Sequence, residues 1–191
     1  MKYKGKNIVI LNVNNRIGKE IADDIANARA KIIGVGKEPT SRGLDDELSM
    51  MYGVELQYIS SDIFEETPKE VLQKVLEKTD KIDYLFIIYS VHNYDSIKSY
   101  SEEMNSRVYD MSDLGIAFGA NMRDTGGGSV FIIADLDDFY SKNPFGKTVL
   151  QNTFRHFKDD MSLIFGKLLN VYDLYIGKCE SVVEKLKEIN E

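Results

Sequence analysis

A doubly wound α/β fold, six parallel strands with helices on both faces, is what this sequence predicts. Three observations carry that expectation. Short apolar runs alternate with stretches whose apolar residues recur at helical spacing, the pattern of strands buried on both faces and joined by crossover helices. The opening stretch from Lys6 to Ala22 has an apolar run at Ile8 to Leu11 and a polar turn, followed by Ile17, Ile21, Ala22 and Ile25 at helical positions. With 191 residues, 43% of them hydrophobic and 29% charged, the chain fits one globular domain spanning residues 1–191.

The first strand and helix frame the turn Asn12-Val-Asn-Asn-Arg16-Ile-Gly18, at a helix N-terminus where an anion can be received. Ala30 to Val35 reads as a second strand, residues 43 to 52 as a helix, and Val54 to Ile59 as a third strand. Thr67-Pro68 opens a helix with proline in its first turn, running to about Lys78 with Val71, Leu72, Val75 and Leu76 on one face. Ile82 to Val91 is the longest apolar run and suits a central strand. A long helix over roughly Ser101 to Met122 leaves through Gly126-Gly-Gly128 into a fifth strand, Val130 to Ala134. A second long helix, about Thr148 to Leu169, precedes a sixth strand, Asn170 to Ile176. Gly177 then turns the chain into a short terminal helix, Glu180 to Ile189.

The bulk properties exclude several classes. A formal charge of −7 without a basic stripe argues against a nucleic-acid partner. No apolar run approaches the ~20 residues that span a bilayer, so no membrane partner is expected. The basic start, Met1 to Lys6, leads straight into a strand and lacks the apolar core and cleavage site of a signal peptide. A single cysteine, Cys179, excludes an intrachain disulfide, and a reducing cytoplasm is the expected location. Neither His92 nor His156 has neighbours at metal-ligand spacing, so no metal is expected.

Laid end to end, the order of motifs resembles the short-chain dehydrogenase/reductase family over nearly the whole chain. Asn15-Arg-Ile-Gly-Lys-Glu-Ile-Ala22 is similar to the second half of the family's TGxxxGIG turn and helix. Ser61-Asp62-Ile63 resembles the Asp pair closing the third strand, and Asp83 to Ser90 the D-x-L-V-N-N-A-G strand. Gly127 to Asp135 resembles the family's fifth strand, and Asn170 to Gly177 its sixth. The resemblance implies a Rossmann-like sheet ordered 3-2-1-4-5-6. It also marks a C-terminally shortened member, since only a short helix follows Gly177 where the family continues over its substrate.

The family's functional residues do not carry over. Leu11 stands at its Thr, Asn12 at its first Gly and Arg16 at its second, while Gly18 is kept. A side chain at the second position occupies the space through which the backbone nears a pyrophosphate. In an alternative alignment, Arg16 is the basic residue that NADPH-preferring members carry there. The family's Asn-Asn-Ala-Gly becomes Ile87, Ile88, Tyr89 and Ser90, and Tyr89 is expected to oppose a nucleotide sterically. Its catalytic Ser falls on Asp135, or on Ala134 with a one-residue slip. The slots for Tyr-x-x-x-Lys, near Gly146–Thr148 and Leu150–Asn152, contain neither residue. Without that phenol and ammonium the family's general acid is missing. Its Asn position lies near Arg107, with Asn105 the nearest asparagine. Tyr94 to Lys98 spells the motif after the wrong strand, and Phe154 to Lys158 offers no phenolic proton.

Other candidates have plainer readings beside them. Asp135, Asp137 and Asp138 cluster past the fifth strand, as an acid–base or cation group or as a solvated loop with an N-cap. His92 follows the fourth strand and is a candidate for proton transfer; His156 reads as a surface residue. Lys37 sits where NADPH-binding relatives carry Arg, and Asp62 where the family meets adenine. With Asn12, Arg16, Gly18 and Ser90 these form the candidate cofactor-binding set. Cys179 reads as a packing thiol.

Phe154, Phe157, Met161, Ile164, Phe165 and Leu168 give the second long helix a broad apolar face. In the resembled family the two long helices pair with a neighbouring subunit. A homo-oligomer, or a hetero-oligomer with an active short-chain dehydrogenase/reductase, is therefore expected through residues 101–122 and 148–169. Together these features imply a degenerate member, a non-catalytic subunit or scaffold that holds no cofactor. Two alternatives stay open: an NAD(P)-dependent oxidoreductase with atypical catalytic residues, and a nucleotide- or small-molecule-sensing module.

Overall fold

The computed structural model describes residues 3–37, 44–90, 97–136, 144–177 and 180–190. Six strands form one parallel sheet: β1 (Asn7–Leu11), β2 (Lys31–Gly36), β3 (Leu56–Ser60), β4 (Tyr84–Ser90), β5 (Gly128–Asp135) and β6 (Leu169–Ile176). Their order is β3-β2-β1-β4-β5-β6, as expected from the sequence. The helices are α1 (Arg16–Asn27), α2 (Leu44–Tyr52), α3 (Pro68–Leu76), α4 (Ile97–Asp124), α5 (Pro144–Phe165) and α6 (Val182–Asn190). The chain reverses its direction of winding between β1 and β4, which opens a crevice at the carboxyl ends of those strands.

Strand alternation divides the interior into two cores. Val9, Leu11, Leu85, Ile87, Tyr89 and Ile132 face α3, α4 and α5, meeting Val71, Leu114, Phe118, Phe154 and Met161. Ile8, Ile10, Phe86, Ile88 and Phe131 face the other way, against Ile17, Ile21 and Ile25 of α1 and Val182 and Leu186 of α6. Burial on both faces is why β1, β4 and β5 read as continuous apolar runs. On the α1 face, Phe86, Phe131 and Tyr172 stand in register on β4, β5 and β6. Their rings stack at 4.8 and 4.9 Å.

The long helices meet where α4 is bare. A Cβ at Gly115 or Gly119 would run into the rings of Phe157 and Phe165, so these glycines let α5 lie against the α4 backbone. The expected end of α5 is corrected. It stops at Phe165 because Gly166 takes a φ of +60°, and a 3-10 turn over Gly166–Leu168 leads into β6 at Leu169. The broad apolar face also divides. Phe154, Phe157, Met161 and Phe165 are buried, whereas Leu163 is 84%, Ile164 52% and Leu168 54% exposed.

At the amino ends of the strands, Asp83 pins β1 to β4. Its Oδ2 accepts the Asn7 N–H at 3.0 Å, and the ammonium groups of Lys6 and Lys81 lie 3.5 and 3.2 Å from Oδ1. Burial alone pushes this carboxyl up, but the Asn7 N–H and the two lysines outweigh it and hold it below the ordinary carboxylate range. A carboxyl lowered by folding stabilises fully above its unfolded value, and that contribution is lost as pH falls through the folded value. Asp83→Asn is expected to cost about 1–3 kcal/mol near neutral pH. It should also flatten the fall in stability below about pH 4. Urea unfolding of both proteins across that range checks this.

Candidate functional site

The turn from β1 into α1 is built from three asparagines. Asn12 takes a φ of +67°, a left-handed conformation that asparagine tolerates better than most side chains. Its amide donates to the Ile88 carbonyl at 3.3 Å, tying the turn to β4. Asn14 donates to the Tyr58 hydroxyl at 3.1 Å, and that hydroxyl donates to the Gly36 carbonyl at 2.8 Å. Asn15 is the N-cap of α1, and its Oδ1 accepts the Ile17 N–H at 2.7 Å. Gly18 packs the first turn of α1 onto the loop, with a Cβ position only 2.7 Å from the Val13 carbonyl oxygen.

Asn15 has a second task. Its amide nitrogen donates to the Ser90 hydroxyl at 2.6 Å and to Asp135 Oδ2 at 3.0 Å. Arg16 then donates to Asp135 Oδ1 at 3.1 Å and to the Gly177 carbonyl at 3.4 Å. Ser90, Asp135 and Ile176 are partners in the sheet register, so this network bridges the carboxyl ends of β4, β5 and β6 to the N-terminus of α1. The first turn of α1 contains no acidic residue, and Asp135 supplies a carboxylate at that positive end. Its side chain is only 8% exposed, against 39% for Arg16.

The β2–β3 side of the crevice is open. A cavity of about 650 Å³ is lined there by Asn12, Lys37, Asp62, Glu65, Ser90 and Asp110 among others. Lys37 pairs with Asp62 at 2.8 Å and Glu65 at 3.6 Å. The hydrogen bond to Asp62 and the charges of both carboxylates hold its ammonium above the ordinary lysine range. Asp62 Oδ1 accepts the Phe64 N–H at 3.0 Å, closing the turn after β3.

The structure brings Asn12, Lys37, Asp62 and Ser90 around one cavity, while Arg16 and Gly18 do not line it. Tyr89 packs inward from the end of β4. Its ring is 1% exposed and meets Phe154 edge-on at 5.9 Å, and the residue also contributes to the wall of the cavity. The alternation of β4 places it on the same face as Ile87. Asp135 corrects an expectation, being the buried last residue of β5 and no part of a solvated loop. His92, Tyr94, Asp137, Asp138 and Cys179 lie outside the described residues, as do the side chains of Asn105 and Arg107. His156 is exposed on α5. Among the described residues no group of three or more His, Cys, Asp or Glu could hold a metal, and no helix is long and apolar enough to cross a membrane. Sequence reasoning passed over Asn15, although an asparagine just before a helical apolar pattern is an N-cap signal.

No family model and no curated protein matches the sequence. Solved structures do match. A short-chain type dehydrogenase/reductase from Mycobacterium marinum superposes with a TM-score of 0.77 over 92% of this chain and 75% of its own, at 17% identity. The 2-keto-3-deoxy-D-gluconate dehydrogenase from Streptococcus agalactiae does so with a TM-score of 0.71 over 96% and 72%, at 16% identity. The chain has the short-chain dehydrogenase/reductase fold. A further match with that fold, the NADH-dependent reductase A1-R′ complexed with NAD, has a TM-score of 0.71 over 92% and 79%, at 17% identity. The expectation that this chain holds no cofactor gains nothing from such a neighbour.

The turn itself is testable. A methyl group at Gly18 would meet backbone atoms of Val13 and Asn12, which cannot swing aside. Gly18→Ala is therefore expected to lower unfolding stability by about 1–3 kcal/mol, measured by chemical denaturation.

Proposed function

We propose that this chain is a non-catalytic protein of the short-chain dehydrogenase/reductase fold, a subunit or scaffold without hydride-transfer activity. The observation that carries this reading is the Asn15–Ser90–Asp135–Arg16 network across the ends of β4, β5 and β6. In doubly wound folds the pyrophosphate sits at the first helix N-terminus, over this same crevice. Here a buried carboxylate holds that end, and an incoming phosphate would meet like charge and have to break the Arg16 pair. The residues present at this helix end do not fit the pyrophosphate of NAD(P). Helix α5 also contains no tyrosine, so it carries no phenol–lysine pair to donate a proton.

The sensing alternative draws support from the open cavity of about 650 Å³, which has room for the nucleoside portion of a ligand beside Asp62. The NAD-bound neighbour supports a nucleotide as that ligand. Partnership with a second copy, or with an active relative, is supported by Leu163, Ile164 and Leu168 beside α4, whose Ile116 is 42% exposed. A reducing cytoplasm remains the proposed location, on the single cysteine.

A thermal-shift titration with NAD⁺, NADH, NADP⁺ and NADPH tests the reading. The wild type is expected to show no oxidoreductase turnover, and any rise in midpoint should be matched by adenosine alone. Asp135→Ser removes the carboxylate and is expected to cost roughly 1–3 kcal/mol of stability while strengthening binding of the dinucleotides over adenosine. Turnover of a carbonyl substrate by the wild type would overturn the proposal.

Assembly is tested separately by analytical ultracentrifugation. A dimer is expected at micromolar concentration, alone or after mixing with an active relative. Replacing Leu163, Ile164 and Leu168 together with glutamate should return it to monomer.

A further inference from the structure

One edge of the sheet is formed by β6. Along such a strand, alternate residues turn both their N–H and C=O groups to opposite sides. The Leu136 N–H donates to the Ile176 carbonyl at 2.9 Å, so Ile176, Leu174 and Tyr172 face β5. Val171, Asp173 and Tyr175 therefore face outward. The Tyr175 carbonyl accepts the Lys185 ammonium of α6 at 2.6 Å. Among the described residues nothing pairs with the outward backbone groups of Val171 and Asp173.

An edge needs no partner when it is short, or when proline, lysine or a bulge blunts it. Strand β6 has eight residues, Leu-Asn-Val-Tyr-Asp-Leu-Tyr-Ile, with neither proline nor lysine among them. Its register with β5 runs unbroken from Leu169 to Ile176. Its one charge is already answered, since Asp173 pairs with Lys158 at 3.1 Å and accepts the Tyr175 hydroxyl at 3.0 Å. The stacked row of Phe86, Phe131 and Tyr172 also stops at this edge, where Tyr172 is only partly buried.

We propose that β6 pairs antiparallel with β6 of a second copy, about a two-fold axis at Tyr172. Val171 and Asp173 flank Tyr172 symmetrically, so each Val171 exchanges both backbone hydrogen bonds with Asp173 of the partner subunit. Each Tyr172 meets its own counterpart as a non-hydrogen-bonded pair, with Cα atoms about 4.5 Å apart. The row of rings then continues across the axis into the partner. Other registers are worse. An axis at Asp173 sets two carboxylates face to face, and one at Leu174 needs the Tyr175 carbonyl that Lys185 occupies. An axis nearer Leu169 forfeits overlap between the strands. The edge begins beside the exposed Leu168, so it adjoins the apolar face of α5. This pairing rests on assembly with a second copy, as proposed above, and gives that assembly a geometry.

Val171→Pro is the decisive variant. The Val171 N–H faces outward, so proline there removes no bond to β5 and suits an edge strand. By analytical ultracentrifugation at micromolar concentration, the wild type is expected to sediment as a dimer and Val171→Pro as a monomer. Their far-ultraviolet circular dichroism should be alike. A cross-link makes the test independent of how that variant folds. In a Cys179→Ser background, Tyr172→Cys brings two thiols within disulfide reach across the axis and should give a covalent dimer on mild oxidation. Asn170→Cys should not. A monomeric wild type would overturn both this pairing and assembly with a second copy. A dimer that Tyr172→Cys does not cross-link, or that a folded Val171→Pro leaves intact, would overturn the β6 pairing alone and leave the helix-face assembly standing.

Discussion

A carboxylate withdrawn from water must be met by hydrogen bonds and opposite charge. Asp135 is in that position, and the carboxyl-end architecture is arranged around satisfying it. One oxygen takes Asn15 and the other Arg16, so the end of β5 is fastened to the start of α1. The orientation of Asn15 is set by the same demand. Its oxygen is committed to the Ile17 N–H, which leaves its nitrogen for Ser90 and Asp135. Arg16 extends the fastening to Gly177 after β6. The crevice is thereby bridged over β4, β5 and β6 and open towards β2 and β3.

The two ends of the sheet differ in charge as well as in shape. Asp62, Glu65 and Asp110 line the open part of the carboxyl-end crevice, where Lys37 is already held by two carboxylates. The amino end gathers cations at the turns that follow α1 and α3. A parallel sheet makes this division simple, since every strand presents the same end to the same side. Turns entering the strands and turns leaving them vary independently, and each end can acquire its own charge.

Much of the fold was legible because burial on both faces leaves a continuous apolar run. Ile8 to Leu11 and the stretch around Tyr84 to Tyr89 announce themselves, and their helices follow at helical period. The end of α5 was not legible, since Phe165, Leu168 and Leu169 continue the apolar rhythm past Gly166 and a lone glycine does not decide a boundary. The edge-on contact of Tyr89 with Phe154 was hidden for another reason. A strand's pattern does not say which face meets which core until its register is known. The partnership of Arg16 with Asp135 spans 119 positions, and nothing local to either residue signals the other. The resemblance is what singled out Asn12, Lys37, Asp62 and Ser90, and all four line one cavity.

The ring stack across the last three strands has an optical consequence. The chain contains no tryptophan, so its near-ultraviolet properties come from tyrosine and phenylalanine. Tyr172 lies 4.9 Å from Phe131 at an interplanar angle of 18°, which couples its chromophore to the seating of β6 on β5. A one-residue slip of that strand would turn the phenol to the opposite face and dissolve the coupling. The chain thus carries an intrinsic spectroscopic gauge of alignment at one edge of its sheet.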